Sequence, residues 1–366
     1  MTGSKDKRIR YAVIGAGNIA QVAVLPAFAH AKENSELVAL VSGDPHKRAE
    51  LRERFEIEHD GDYGELEAVL ERGRIDAVYI ATPNSTHRDF ALRAAAKGLH
   101  VLCEKPLAPT AADCMSIIDG CKKAGVKLMV AYRLHFEEAT LEAIDVARSG
   151  KLGKLGLFSS FFSHVVRPGD IRNDPEVAGG AVLDLGVYCI NAARNLFEAE
   201  PTLVTADLIE KDGVDDTTSA ILHFPGDRIA QFCVSNSVAG ASSYRIGGSD
   251  GDLRVEPAYE YVEPLVHYLT IDGETKKKSF DKVDQFAPEI LHFSECILEG
   301  REPEPSGEEG WCDIRVAEAI LTAARSRAPV ALEPYQRRRR PRLAQVEHIR
   351  PVKKQEPVHA PSPSLK

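Results

Sequence analysis

Apolar residues follow two different rhythms along this chain, and the rhythm changes near residue 150. Up to about residue 130, short and nearly continuous apolar runs alternate with longer segments of helical period. The runs are 9–17 (IRYAVIGAG), 37–43 (LVALVSG), 76–83 (DAVYIATP), 100–106 (HVLCEKP) and 126–132 (VKLMVAY), each bounded by Gly or Pro. Runs of this kind suit parallel strands buried on both faces. Between them the pattern predicts helices near 18–31, 45–56, 64–72, 85–97 and 110–124. Pro45 suits a first helical turn, and Gly98 and Gly125 suit positions just past a helix end. The alternation predicts an α/β Rossmann domain, a doubly wound parallel sheet with right-handed crossovers.

Beyond residue 150 strands follow one another without helices between them. A strand is expected over 154–165 and a Gly-opened helix over 179–197. Further strands are expected around 201–210, 217–225, 228–236, 242–248 and 252–256, then helices near 284–299 and 308–327. Consecutive strands imply an α+β domain with a mostly antiparallel open sheet. The organisation read from the chain is a dinucleotide-binding domain over 1–132 and a substrate and oligomerisation domain over 133–332. Residues 308–330 are expected to pack back on the first domain, and 333–366 to form a basic, Pro-rich tail.

Composition narrows the function classes. With 43% apolar and 28% charged residues, the chain has the balance of a globular protein. It carries no run of about 18 apolar residues, which excludes a membrane-spanning helix. MTGSKDKRIR at the start lacks the features of a secretory signal, so the expected location is the cytoplasm. The seven cysteines form no CxxC pair and no zinc spacing with histidine, which points to free thiols and no metal. Net charge is −9, but residues 335–366 carry nine Lys or Arg against two acids, +7, leaving −16 elsewhere. So acidic a body argues against a nucleic-acid partner. Arg337–Arg342 (RRRRPR) reads either as a nucleic-acid or localisation patch or as a solvated arm, disordered or packed on its own oligomer; the arm is the expectation.

Directly after the first run, Gly15-Ala16-Gly17-Asn18-Ile19-Ala20 forms a GxGxxA element that opens a helix. Gly15 permits the tight turn and Gly17 the approach of a pyrophosphate. The helix N-terminus, with Asn18 and Ile19, supplies oriented N–H groups. At the end of the second run, Ser42 stands where an acid would bind a ribose 2′-hydroxyl. Gly43 gives room there, and Lys47 or Arg48 gives charge for a 2′-phosphate, which predicts NADP. Asp44, one loop shift away, keeps NAD open.

Glu104-Lys105-Pro106 ends a parallel strand where a nicotinamide would lie, and Pro106 is expected cis. Asp184 and Tyr188 are four apart on a predicted helix and share a face. Removing the hydroxyl proton of a carbinol requires a base. A tyrosine with pKa of about 10 serves only if a cation, here Lys105 or the oxidised nicotinamide, lowers it. His135, His164 and Arg167 are weaker sugar-contact candidates. Asp215-Asp216 lack a third metal ligand and are expected at a strand entry.

In this order the three motifs resemble the glucose–fructose oxidoreductase, inositol dehydrogenase and rhizopine-catabolism family (Gfo/Idh/MocA), over about Arg8 to Leu332. Tyr188 stands where inositol dehydrogenases have histidine. That tyrosine, the LVSG of Leu40 to Gly43, and the segments 131–137, 169–172 and 178–191 are similar to the glucose–fructose branch. The resemblance implies an NADP-dependent sugar oxidoreductase in which Lys105 and Tyr188 are catalytic, with Asp184 beside them. It implies that Thr82, Pro83, Asn84, His87 and Glu104 line the nicotinamide side, with Arg133 near cofactor or sugar. It also implies a homodimer or homotetramer. About seven residues precede the first strand, too few for that branch's cofactor-wrapping N-terminal arm, so a freely exchanging NADP is equally expected. A trans-dihydrodiol or other carbonyl dehydrogenase of the same family is the alternative activity, and a non-catalytic NADP-binding sensor the alternative class.

Overall fold

The computed structural model describes residues 7–337 and 339–365. Its first sheet holds six parallel strands in the order β3-β2-β1-β4-β5-β6. These are β1 (Ile9–Ile14), β2 (Ser35–Val41), β3 (His59–Gly61), β4 (Ala77–Ile80), β5 (His100–Glu104) and β6 (Leu128–Ala131). Side chains alternate between two buried faces, as a covered parallel sheet demands. Ala12, Ile14, Val78, Ile80, Val101 and Val130 face the helices Leu66–Arg72, His87–Ala96 and Ala111–Ala124. Tyr11, Val13, Tyr79, Leu102 and Met129 face the other way, towards helix Ala287–Glu299. That helix, late in the chain, is tied to the first sheet by Ser294, whose Oγ lies 2.8 Å from the Tyr11 hydroxyl. Strand β3 has no counterpart in the apolar pattern, because it is a three-residue edge bearing His59 and Asp60.

The second sheet runs β14-β13-β12-β11-β7-β10-β9-β8-β15, antiparallel except where β7 (Leu155–Val166) lies parallel to β10 (Arg228–Ser235). The strands β8 (Leu203–Lys211), β9 (Val214–Phe224), β11 (Ser237–Gly248) and β12 (Gly251–Val255) lie close to their expected positions. Two strands had no visible pattern, β13 (Val266–Ile271) and β14 (Glu274–Ser279). The latter, ETKKKS, is exposed throughout, and its lysines suit an edge that must not pair further. Helix Glu138–Arg148 is a further element beyond the expected ones; it buries Leu141 and Ile144. One sheet face packs on helices Val187–Leu196 and Gly307–Ser326. The other exposes Leu157, Phe161, Ile209, Ile221 and Ile229. Helix Gly307–Ser326 also reaches the first domain, where Gly310 is so close to Leu107 that a Cβ would come within 2.7 Å. All seven cysteines are unpaired, and no helix among the described residues is long and apolar enough to cross a membrane.

The tail departs from the solvated arm expected for it and lies along its own chain. Two short pairs bracket the tail, β15 (Val330–Ala331) on β8 before it and β16 (Ser364–Leu365) on β7 at its end. Arg338 and Lys366 fall outside the described residues. Arg337 has a fully buried side chain paired with Glu304 and Glu309, and Arg340 reaches Glu200 at 2.9 Å. They complete a cluster around Arg194, itself buried against Glu200, Glu309 and Asp313. The cause is local charge balance: buried carboxylates on helix Gly307–Ser326 need more cations than Arg194 supplies. Replacing Arg337 by Ala therefore leaves Glu304 and Glu309 short of a partner. It is expected to lower the unfolding free energy by about 3–5 kcal/mol in urea melts. Exposed Arg339→Ala, in the same basic run, is expected to change it by less than about 0.5 kcal/mol.

Candidate active site

The carboxyl ends of β1, β2, β4 and β5 open into a cleft of ≈ 1060 Å³ that also meets the second sheet. Gly15 sits at its floor with φ +105°, a conformation that favours glycine, and its N–H donates to Val41 O at 2.8 Å. A Cβ on Gly15 would stand 2.3 Å from Ala81 O, whereas one on Gly17 would project into open space. Gly17, Asn18 and Ile19 thus leave a bare backbone where a helix begins, which is what a pyrophosphate requires. The helix is widened to a π turn over Ala20–Val24 ahead of Pro26, which has no N–H to donate.

At the end of β2, Asp44 caps helix Pro45–Arg54, its Oδ1 accepting from His46 N at 2.9 Å and Lys47 N at 3.1 Å. Those bonds, that of Lys47 foremost, hold its carboxyl below the usual range. Ser42 is buried, Gly43 leaves room for the Tyr63 ring, and Lys47 lines the cleft. Arg48, expected to supply charge here, turns away. Its guanidinium binds Asp60 at 3.3 Å and the Ser42 carbonyl at 2.5 Å, because Asp60 on β3 lies beneath it. Lys47 is the one of the two lysine and arginine candidates that faces the cleft.

At the opposite end stand Thr82, Pro83, Asn84, His87, Glu104, Lys105 and Arg133. Several of them have their polar atoms engaged by protein. His87 places its ring nitrogens 2.9 Å from Pro106 O and Thr82 O, and burial pushes its pKa down. It fastens the Lys105-Pro106 turn, whose peptide is cis, to the end of β4. Glu104 accepts from the Tyr79 hydroxyl at 2.9 Å, and burial raises its pKa. Arg133 donates to Gln285 and to Tyr259 O, with its guanidinium 5.1 Å from the Tyr188 ring centroid.

Asp184 is the hub. Lys105 Nζ donates to its Oδ1 at 3.0 Å and to its carbonyl at 2.9 Å, and Arg172 Nε donates to Oδ2 at 2.8 Å. His164 Nε2 lies 3.7 Å from the same oxygen. Burial would raise the Asp184 pKa, but Arg172, Lys105 and His164 outweigh it and hold the carboxyl well below the carboxylate range. Burial pulls Lys105 down, yet Tyr188 and Asp184 pull harder, so its ammonium is held charged. Lys105 Nζ is 4.8 Å from the Tyr188 ring centroid.

The hub is placed by a turn rich in glycine. Gly180 has φ +123° and donates to Arg172 O at 2.8 Å; a Cβ there would strike Asp215. Asp215 lies at the entry to β9 and accepts from Val182 N at 2.7 Å, so it caps the next helix from a neighbouring strand. That helix begins as a π turn, Val182–Gly186, and both Asp184 and Tyr188 reach the cleft. No group of three potential metal ligands occurs among the described residues.

Three weaker candidates separate. His164 is in the cleft. His135 is buried 2.9 Å from Asn191 in the Arg194 cluster, and Arg167 binds the tail. Residues the sequence did not single out are Phe162 and Tyr259, which pack on Tyr188, Tyr261 in the same cleft, and Ser362–Leu365 of the tail. The Tyr259-Glu260-Tyr261 alternation was the available signal for the two tyrosines. The tail offered none.

Two family models match in tandem: the GFO/IDH/MocA oxidoreductase family, NAD-binding Rossmann fold, over residues 9–132, and its C-terminal domain over 140–254. A D-xylose 1-dehydrogenase (NADP⁺) from Haloferax volcanii is 34% identical over 88% of this chain and 99% of its own length. The crystal structure of an aldose–aldose oxidoreductase from Caulobacter crescentus, with glycerol, superposes with TM-score 0.84 at 36% identity. It covers 89% of this chain and 100% of its own. A 3-ketoreductase from Actinomadura kijaniata, with NADP and TDP-benzene, superposes with TM-score 0.81 at 28% identity, covering 87% and 98%. Part of this chain therefore has no counterpart in them.

The two cradle glycines are separable. Gly15→Ala is expected to lower the melting temperature and abolish binding of NADPH measured by its fluorescence. Gly17→Ala, whose Cβ meets nothing, is expected to leave the melting temperature of the free protein unchanged while weakening NADPH binding.

Proposed function

Because this chain belongs to the GFO/IDH/MocA oxidoreductase family, we propose that it oxidises the C1 hydroxyl of an aldose, or a related ring hydroxyl, with NADP⁺ as hydride acceptor. It is an NADP-dependent oxidoreductase acting on sugar-type hydroxyl and carbonyl groups. Bound NADP⁺ supplies the ring carbon that accepts the hydride. The protein's part is to seat that ring and the carbinol together and to take the hydroxyl proton.

The observation that carries this reading is the Asp184–Lys105–Tyr188 group beside the bare backbone of Gly15–Asn18. Lys105 is pinned by Asp184 and held charged, so it donates a hydrogen bond and an electrostatic field and is no proton acceptor. Tyr188 is then the acid–base group, its ring braced by Arg133, Phe162 and Tyr259. Arg172 and His164, on the far side of Asp184, offer donors to sugar hydroxyls. Tyr261, only partly buried in the cleft, offers an apolar face to the C–H side of a pyranose. Ser42, Gly43 and Lys47 would hold the 2′-phosphate, and Asp44, already capping a helix, is a poor partner for the free 2′-hydroxyl of NAD. Apolar Leu157, Phe161, Ile221 and Ile229 on the outer sheet face suit burial against a second copy.

Lys105→Met and Tyr188→Phe are each expected to lower kcat for aldose-dependent NADP⁺ reduction by about 10²–10⁴, while NADPH binding persists. Unchanged turnover would overturn these roles, and no turnover by the parent protein on any aldose or dihydrodiol would favour an NADP sensor. Phe161→Asp is expected to shift sedimentation towards the monomer, and an unaltered profile would place the interface elsewhere.

A further inference from the structure

One stretch of the tail lies along the dinucleotide cleft and takes no part in the hydride chemistry. Its first anchor is the cradle helix. Val358 N donates to Gln21 Oε1 at 2.7 Å, and Gln21 Nε2 donates back to Val358 O at 3.0 Å and to Ala16 O at 2.8 Å. Asn18 Nδ2 donates to Ala360 O at 2.8 Å. Between these anchors His359 lies over His46, ring centroids 4.6 Å apart, with Nδ1 3.3 Å from Asp44 Oδ2 at the end of β2. Val358 and Ala360 are both only 7% exposed, unusual for the end of a charged tail.

The second anchor is on the opposite wall. Arg167 N donates to Pro363 O at 2.7 Å and Arg167 Nε to Ser362 O at 3.2 Å. Ser364–Leu365 pairs antiparallel with Val165–Val166 at the end of β7, directly after His164. The second anchor, Ser362–Leu365, lines the same cleft as Gly15–Ile19, Lys105 and Asp184. The segment therefore bridges the phosphate cradle and the substrate sheet. Its composition favours closure: Pro357, Pro361 and Pro363 restrict the detached chain, so less conformational entropy is lost on latching.

We propose that residues 358–365 are a cofactor-retaining strap, latched on Gln21 and Asn18 at one end and on Arg167 and β7 at the other. Bound NADP(H) leaves only when this strap opens. The proposal rests on NADP being the cofactor of this cleft. Asn18 stands in the turn that receives the pyrophosphate and Gln21 is buried in the helix that this turn opens, so a seated dinucleotide and a closed strap stabilise each other through the same turn and helix. Retention then depends on the rate of latch opening more than on the contacts of the cofactor alone.

The test measures release of NADPH from the full chain, by chase with excess NADP⁺, against a chain ending at Glu356. Deletion is expected to speed release by roughly tenfold or more. Amide exchange of 357–365 in the full chain is the second reading and does not depend on the shortened chain folding. NADP is expected to slow it. Release changed by less than about twofold, or exchange that NADP does not slow, would overturn the strap. Failure of the full chain to bind NADPH at all would instead overturn the cofactor reading beneath it.

Discussion

A carboxylate taken out of water must meet cations and donors, or it binds a proton instead. Asp184 meets two cations from different parts of the chain: Lys105 at the end of β5, and Arg172 from the loop before the Asp184 helix. Magnitudes explain why two are needed. Desolvating one ion costs several kcal/mol, and unit charges 4 Å apart attract by about 4 kcal/mol at an effective dielectric near 20. A single partner about breaks even. With two, Asp184 stays ionised, and the cleft gains a fixed ion group that joins the Rossmann sheet to the second domain.

Much of the site's chemistry follows from that group. It fixes the Lys105 ammonium over the Tyr188 ring and keeps it charged, the geometry on which the proposed role of the tyrosine rests. It orients Arg172, which lines the same cleft. It also explains the glycines before it: the tight turn at Gly179-Gly180 is what allows Asp215 to cap the helix and present Asp184 inward. The π turn at Val182–Gly186 belongs to the same arrangement, since widened turns occur where a functional side chain must be re-aimed.

The same electrostatic demand recurs away from the cleft and accounts for the tail. Glu200, Glu304, Glu309 and Asp313 outnumber Arg194, and the imbalance draws Arg337 and Arg340 out of solvent. With its arginines committed there, the tail continues over the first domain until Val358 meets Gln21. A basic run that looks solvated in isolation is thus a set of counter-ions for a cluster assembled from helices Val187–Leu196 and Gly307–Ser326 and the loops beside them. In the strap reading, this cluster is what brings the last residues within reach of the cofactor.

Two Rossmann-type signals needed no tertiary information. GxGxxA between an apolar run and a helix, and EKP at the end of another, are local rules about where a backbone turns and what a helix N-terminus can bind. The parallel sheet was legible for the same reason, because continuous apolar runs report burial on both faces. The three-residue β3 and lysine-rich β14 bury almost nothing, so they left no such trace. That Arg48 faces Asp60, that His87 fastens the Pro106 turn, and that Arg167 holds the tail depended on partners 12 to 195 residues away. Sequence by itself thus determined most of the elements and the cradle motif and nominated Lys105, Asp184 and Tyr188, since each follows from local period or motif. Tertiary structure alone decided which charges meet, because a buried ion chooses its counter-ion by distance in space, and distance along the chain carries no record of that.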